Sequence, residues 1–145
     1  MTGGLIIRLR PGEKFLINGV VLENGARRTQ IRVRSQDANI LRMRDALHPD
    51  EANTPVKRLY YQLQIIITGD EKSPNIPSLT RDLKALYDSL PEPECRKTIE
   101  KAQFHLDSGK FYQAMKALKN LLPFEERLLQ LAHAKTELSM ARRAV

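Results

Sequence analysis

Apolar positions recur along this 145-residue chain with two different periods, and the change falls near residue 45. Before it the period is two, as in strands whose successive side chains point to opposite faces. Leu5, Ile7 and Leu9 alternate with Arg8 and Arg10. Phe15-Leu16-Ile17 and Val20-Val21-Leu22 are short apolar runs. From Thr29 to Arg34, Ile31 and Val33 alternate with Gln30, Arg32 and Arg34. From Asn39 to Arg44, Leu41 and Met43 fall on one face and Arg42 and Arg44 on the other. Turn residues separate these segments: Arg10-Pro11-Gly12-Glu13, then Asn18-Gly19, then Asn24-Gly25. Asn-Gly is the strongest short hairpin signal, because a type I′ turn needs φ > 0 at both central residues. The pattern predicts a meander of short, consecutive antiparallel strands closing into a small barrel-like sheet.

Beyond residue 45 the period becomes helical. Asp45 to Asn53 is polar and reads as a connector. Thr54-Pro55 then opens a helix, with threonine as N-cap and proline at the first helical position. Its stripe is Val56, Leu59, Tyr60, Leu63, Ile66 and Ile67, and Gly69 ends it. A second stripe is Leu79, Leu83, Leu86 and Leu90. A third, from about Glu94 to Ser108, is Cys95, Ile99, Ala102 and Leu106, with Gly109 as breaker. A fourth runs from about Lys110 to Leu122 through Phe111, Ala114, Leu118, Leu121 and Leu122. Pro123 opens a fifth with Phe124, Leu128, Leu131 and Leu138, and Ala141 to Val145 reads as a fraying end. Residues 93–122 resemble one tetratricopeptide hairpin through Gly109, Tyr112 and Ala114. No second copy repeats that spacing, so an ordinary helical hairpin is the better reading. The fold class is α+β: an arginine-rich β-lobe over residues 1–47 and a bundle of about five helices over 54–145.

Charge adds a second asymmetry. Residues 1–44 hold nine basic residues against Glu13, Glu23 and Asp37, which is +6 of the chain's net +7. Eight of those nine are arginine, whose planar fork pairs bidentately with phosphate and stacks on bases. They include three Arg-x-Arg pairs: Arg8 and Arg10, Arg32 and Arg34, Arg42 and Arg44. On a strand both members of a pair share a face, so three such strands in one sheet would line a single surface with six guanidinium groups. The plain reading is a solvated sheet face. A polyanion is favoured because like charges on neighbouring strands repel and few carboxylates are near to neutralise them. Arg27 and Arg28 follow the second Asn-Gly turn, as a charged hairpin end or as a loop contact to phosphate. Phe15 is the only aromatic in the lobe and suits a core position, so stacking there falls to arginine. Tyr61, on the first helix beside Arg58, points off the apolar stripe and is the one aromatic worth testing as a surface contact.

Other chemistry is sparse. Cys95 is the single cysteine, so no internal disulfide is expected, and its helical spacing with Ile99 reads as a small buried apolar residue. His48, His105 and His133 lack metal-ligand spacing. No phosphate loop or nucleophile arrangement is readable. The expectation is a non-enzymatic protein with no cofactor and no metal. Leu5-Ile6-Ile7 is cut by Arg8 and is too short for a signal core or a membrane span. A cytoplasmic protein without membrane contact is expected.

One resemblance sharpens these expectations. Leu9-Arg10-Pro11-Gly12-Glu13, Ile17-Asn18-Gly19, Asn24-Gly25, Arg27-Arg28, Leu41-Arg42, Asp45, Leu47, Thr54-Pro55 and Arg58-Leu59-Tyr60-Tyr61 resemble the N-terminal signature of the flagellum biosynthesis repressor (FlbT) family. The likeness is dense over roughly the first 65 residues. It implies a post-transcriptional regulator of flagellin synthesis that associates with the 5′ leader of flagellin messenger RNA and affects translation and decay. Some members promote flagellin synthesis, so the resemblance implies the target rather than the sign. The β-segment also resembles, more loosely, the carbon-storage-regulator type of RNA-binding protein, a fold-level analogy. Candidate RNA contacts are Arg8, Arg10, Arg27, Arg28, Arg32, Arg34, Arg42 and Arg44. The alternative is a protein-binding adaptor or chaperone acting on flagellin or on a FlaF-type flagellin regulator. For it, Leu128, Leu131 and Leu138 on the last helix are the candidate docking stripe, with a second copy of the chain as a further occupant.

Overall fold

The computed structural model describes residues 4–18, 20–35 and 38–143. Five strands precede the helices, and the class is α+β, as expected. They do not form one meander. β1 (Leu5–Leu9) pairs antiparallel with β4 (Thr29–Val33), setting Ile6 opposite Arg32 and Arg8 opposite Gln30. A second sheet has β2 (Lys14–Ile17) in the middle, flanked by β3 (Val20–Glu23) and β5 (Ile40–Arg42), both antiparallel to it.

The turns explain the split. Pro11 and Gly12 occupy the centre of a tight turn in which the Glu13 N–H donates to the Arg10 carbonyl (3.1 Å), with Gly12 at φ +70°. That is the geometry a Pro-Gly pair favours. Asn18, at φ 51°, begins the β2–β3 hairpin as its sequence predicts; Gly19 lies outside the described residues. The second Asn-Gly is not a hairpin. Asn24 leads the chain from one sheet to the other. Its side-chain amide donates to the carbonyls of Arg10 (2.7 Å) and Arg27 (3.0 Å), and its oxygen accepts from the Thr29 hydroxyl (2.8 Å). The side chain thus satisfies a crossing that carries no strand ladder.

Ile7, Leu9, Phe15 and Ile40 form a small core between the two sheets. The larger core lies among the helices and reaches the second sheet through Leu41, with Leu16 packed against it. Neighbouring residues of β5 therefore serve opposite faces: Ile40 the sheet core, Leu41 the helical core. β5 ends at Arg42, and a 3-10 turn over Met43–Asp45 follows. This corrects the expected alternation out to Arg44. Met43 is exposed, because the chain has already left the sheet.

The helices are α1 (Pro55–Ile67), α2 (Ile76–Ser89), α3 (Pro93–Asp107), α4 (Phe111–Lys119) and α5 (Leu122–Arg143). Thr54 caps α1, its hydroxyl accepting from the Lys57 N–H (3.2 Å). Every residue of the α1, α2 and α3 stripes named from the sequence is buried. Burial of a leucine or isoleucine side chain contributes roughly 1.5–3 kcal/mol each, so these stripes hold the bundle together. The buried Gln64 side chain clamps the preceding connector, accepting from the Leu47 N–H (2.7 Å) and donating to the Leu47 carbonyl (2.9 Å). α5 begins at Leu122, which the sequence pattern assigns to the end of the fourth helix, because α4 stops at Lys119. It continues through Arg143, with Ala144 and Val145 outside the described residues, and from Glu126 onward its described side chains are exposed.

Candidate nucleic-acid interface

The β1–β4 ribbon has one buried and one exposed side. Ile7, Leu9, Ile31 and Val33 turn toward the sheet core, which leaves Ile6, Arg8, Gln30 and Arg32 outward. The register places Arg8 diagonal to Arg32, one residue pair apart on the same face. Such diagonal neighbours lie roughly 7–8 Å apart, within joint reach of successive backbone phosphates. Arg10 follows β1 and Arg34 follows β4, and both are exposed. Arg27 and Arg28 are exposed on the crossing that enters β4. Among the described residues none of these six arginines forms an ion pair, whereas Arg42 and Arg44 both do.

The third Arg-x-Arg pair therefore stands apart from the other two. Arg42 lies in the second sheet, on the face shared with Phe15 and Ile40, and points inward. Its side chain is 14% exposed and that of Glu13 is 8% exposed, with Nε 2.9 Å from Oε1. That approach is off the angle of a hydrogen bond. Its Nη2 donates to the Arg8 carbonyl, joining the two sheets. Arg44, on the 3-10 turn, lies 3.7 Å from the same carboxylate oxygen and remains half in solvent. Burial by itself would raise the Glu13 pKa. The Arg10 N–H (2.8 Å) and the Arg42 and Arg44 cations outweigh burial and hold it below the ordinary carboxylate range. The three arginine-bearing strands thus do not share one sheet, and the six arginines do not line one face. A carboxylate at the Pro-Gly turn draws Arg42 inward and keeps Arg44 beside it, because an arginine near a largely buried acid gains more there than on a solvated face.

Glu13 is the residue that sequence reasoning missed: it counted only as one of three acids, although its place right after Pro11-Gly12 aims it back at the sheet. A neighbouring cluster continues onto the helices. Lys119 of α4 pairs with Asp45, and the Tyr60 hydroxyl donates to the Asp45 carbonyl. Burial, with the Asp45 charge nearby, pushes the phenols of Tyr60 and Tyr112 upward, so both remain protonated donors. Tyr61 is half-buried rather than open. The large exposed aromatic is instead Phe104 on α3, which the sequence pattern does not single out. Leu128, Leu131 and Leu138 are all exposed, so the α5 stripe is not used by the described core. Among the described residues no group of three His, Cys, Asp or Glu side chains could hold a metal ion, and no helix is long and apolar enough to cross a membrane.

Comparison with known proteins places this arrangement in a family. Residues 5–129 match the model of the family described as flagellar protein FlbT. A probable flagellum biosynthesis repressor protein FlbT of Rhodopseudomonas palustris (strain ATCC BAA-98 / CGA009) is 34% identical over 125 residues, 86% of this chain and 97% of the relative. One from Chelativorans sp. (strain BNC1) is 32% identical over 127 residues, 85% of this chain and 84% of the relative. The flagellum biosynthesis repressor protein FlbT of Caulobacter vibrioides (strain ATCC 19089 / CIP 103742 / CB 15) is 27% identical over 128 residues, covering 86% and 89%. No solved structure matches. The match runs through both sheets, all of α1 to α4 and the start of α5, and on that extent the chain belongs to the FlbT family of flagellar proteins.

Proposed function

We propose that this protein regulates flagellin synthesis after transcription, by associating with the 5′ leader of flagellin messenger RNA and altering its translation and decay. The relatives' names supply the flagellar and regulatory part of the reading. The RNA part is carried by one observation: six exposed arginines on and around one ribbon, unpaired with acid among the described residues. Such a surface is electrostatically incomplete until an anion meets it. Arg8 and Arg32 form its centre, Arg10, Arg27, Arg28 and Arg34 its margin. Phosphate contacts would give the affinity, and guanidinium stacking on unpaired bases the preference for single strands. Arg42 and Arg44 are left to the Glu13 pair.

Titration of a flagellin leader transcript across salt tests this reading. The Arg8→Ala/Arg32→Ala double variant is expected to bind about tenfold more weakly near 0.15 M salt. Its log–log salt slope should fall by about 1.4, since each lost single-strand phosphate contact removes about 0.7. An unchanged slope would rule the ribbon out as the contact. The exposed leucines of α5 favour a second reading, in which the protein is an adaptor for flagellin or a flagellar regulator and its RNA effects are indirect. Wild-type protein that ignores the leader at moderate salt but co-elutes with purified flagellin would select that reading.

A further inference from the structure

The β2–β3 hairpin carries a second surface, of a different kind. β3 closes one edge of its sheet, and no described residue covers it. Val20, Val21 and Leu22 are consecutive, apolar, and 59%, 62% and 39% exposed. Both faces of the strand are open, since Val20 and Leu22 point one way and Val21 the other. Its backbone is open as well. The Asn24 N–H donates to the Glu13 carbonyl (2.9 Å), and the Asn18 N–H donates to the Asn39 carbonyl on the other side of β2 (2.8 Å). Backbone groups alternate direction along an antiparallel ladder, so Val20 and Leu22 bond to β2. The N–H and C=O of Val21 and Glu23 then point away from the sheet. Soluble proteins blunt such edges with lysine, proline or a bulge. β3 contains neither lysine nor proline and pairs with β2 without a bulge.

We infer that β3 pairs antiparallel with β3 of a second copy about a two-fold axis at Val21, joining the two three-stranded sheets into one of six. Three features fit a second copy paired in this register. This register sets Val21 opposite its own copy and Val20 opposite Leu22 twice, so every described apolar residue of the edge meets another. The outward N–H of Val21 donates to the Val21 C=O of the copy and the copy's N–H donates back, the reciprocal pair that an isologous interface requires. The charge fits too. Arg27 and Arg28 lie past the C-terminal end of β3, and antiparallel pairing sends the two copies of that cationic loop to opposite ends. Four residues span roughly 14 Å, beyond the ~8 Å screening length at physiological salt. Parallel pairing would set the same four arginines side by side. The strand is short, so the interface is expected to bury less than the roughly 1,200–2,000 Å² of a stable one, with association in the micromolar range. The inference does not depend on RNA binding.

Sedimentation velocity of the full chain from about 1 to about 300 μM is expected to show a reversible monomer–dimer equilibrium. Val21→Lys should weaken it at least about tenfold by placing two cations at the axis, with the thermal midpoint of the monomer unchanged. Val21→Cys gives an independent readout. Directly opposed Cα atoms lie about 5.5 Å apart in a bonded pair, within disulfide range, and the native Cys95 is buried. With a thiol oxidant, Val21→Cys should form a cross-linked dimer, whereas Phe104→Cys, equally exposed on α3, should not. A wild-type protein that stays monomeric throughout overturns the inference. So does a dimer that persists in Val21→Lys, which would lie on another face, or a β3 edge that takes up only a foreign extended peptide.

Discussion

Replacement of Arg42 by alanine is expected to lower folding stability by about 3 kcal/mol, more than the loss of any exposed arginine. The guanidinium lies against three oxygens at once: Glu13 Oε1, Glu13 Oε2 (3.4 Å) and the Arg8 carbonyl oxygen. Without it, a carboxylate only 8% exposed retains the Arg10 N–H and a distant Arg44. Removing one partner of a buried ion pair costs about 3–5 kcal/mol, because the other charge stays behind without its counterion. The lower end applies here, since Arg44 remains and one side of the pair reaches solvent. The pH dependence has a definite sign. The Glu13 carboxyl is held below its ordinary value in the folded protein. Its contribution is therefore full above the unfolded pKa and is lost as pH falls through the folded one. Urea unfolding of wild type and Arg42→Ala should give midpoints that differ most at neutral pH and converge in acid. Equal midpoints at pH 7 would show that the pair does not hold the sheets together. Arg42→Lys should recover only part of the loss, because an ammonium lacks the fork. Where Arg42→Ala is still folded, its leader-binding salt slope should match wild type, in contrast to Arg8→Ala/Arg32→Ala.

The second large effect is expected at Glu125. This carboxylate is buried at the start of α5, accepting from the Thr54 hydroxyl and from the Val56 N–H (2.8 Å). It thus binds the N-terminus of α1, where unpaired N–H groups and the helix dipole favour a negative charge. Glu125→Ala leaves the Val56 N–H buried without an acceptor and is expected to cost about 2–3 kcal/mol. Glu125→Gln should cost less, because the amide oxygen can still accept from that N–H. Glu137→Ala, on the exposed part of the same helix and paired with His133 (2.9 Å), should stay within about 0.5 kcal/mol. Thermal or urea midpoints of the three variants check the order. A Glu125→Ala protein as stable as Glu137→Ala would mean that α5 is held by Phe124 and Leu122 packing alone.

The two effects mark two junctions of the molecule, and they explain the division of labour among the arginines. Arg42 joins sheet to sheet, and Glu125 joins the last helix to the first. Arg8 and Arg32 sit on a ribbon whose inner side is already fixed by Ile7, Leu9, Ile31 and Val33. They are expected to change without loss of the fold, as a binding surface requires.

Features that depend on neighbours along the chain are legible in the amino-acid order. The switch from period two to period 3.6, the Thr54-Pro55 helix start, the Pro11-Gly12 turn and the buried stripes of α1, α2 and α3 follow from local sterics and the side-chain repeat. The +6 in the first 44 residues is equally a property of the chain itself. Strand partnership is not local. Asn24-Gly25 carries the same two residue types as Asn18-Gly19, yet one closes a hairpin and the other crosses between sheets, because Asn24 finds acceptors on Arg10 and Arg27. The fate of Arg42 turned on Glu13, 29 residues away, whose carboxylate reaches it only once two sheets have packed. Sequence alone determined which residues could form strands, helices and a cationic surface. Tertiary packing decided which arginines face water and which strand edge stays open, since both depend on contacts between segments that no local pattern encodes.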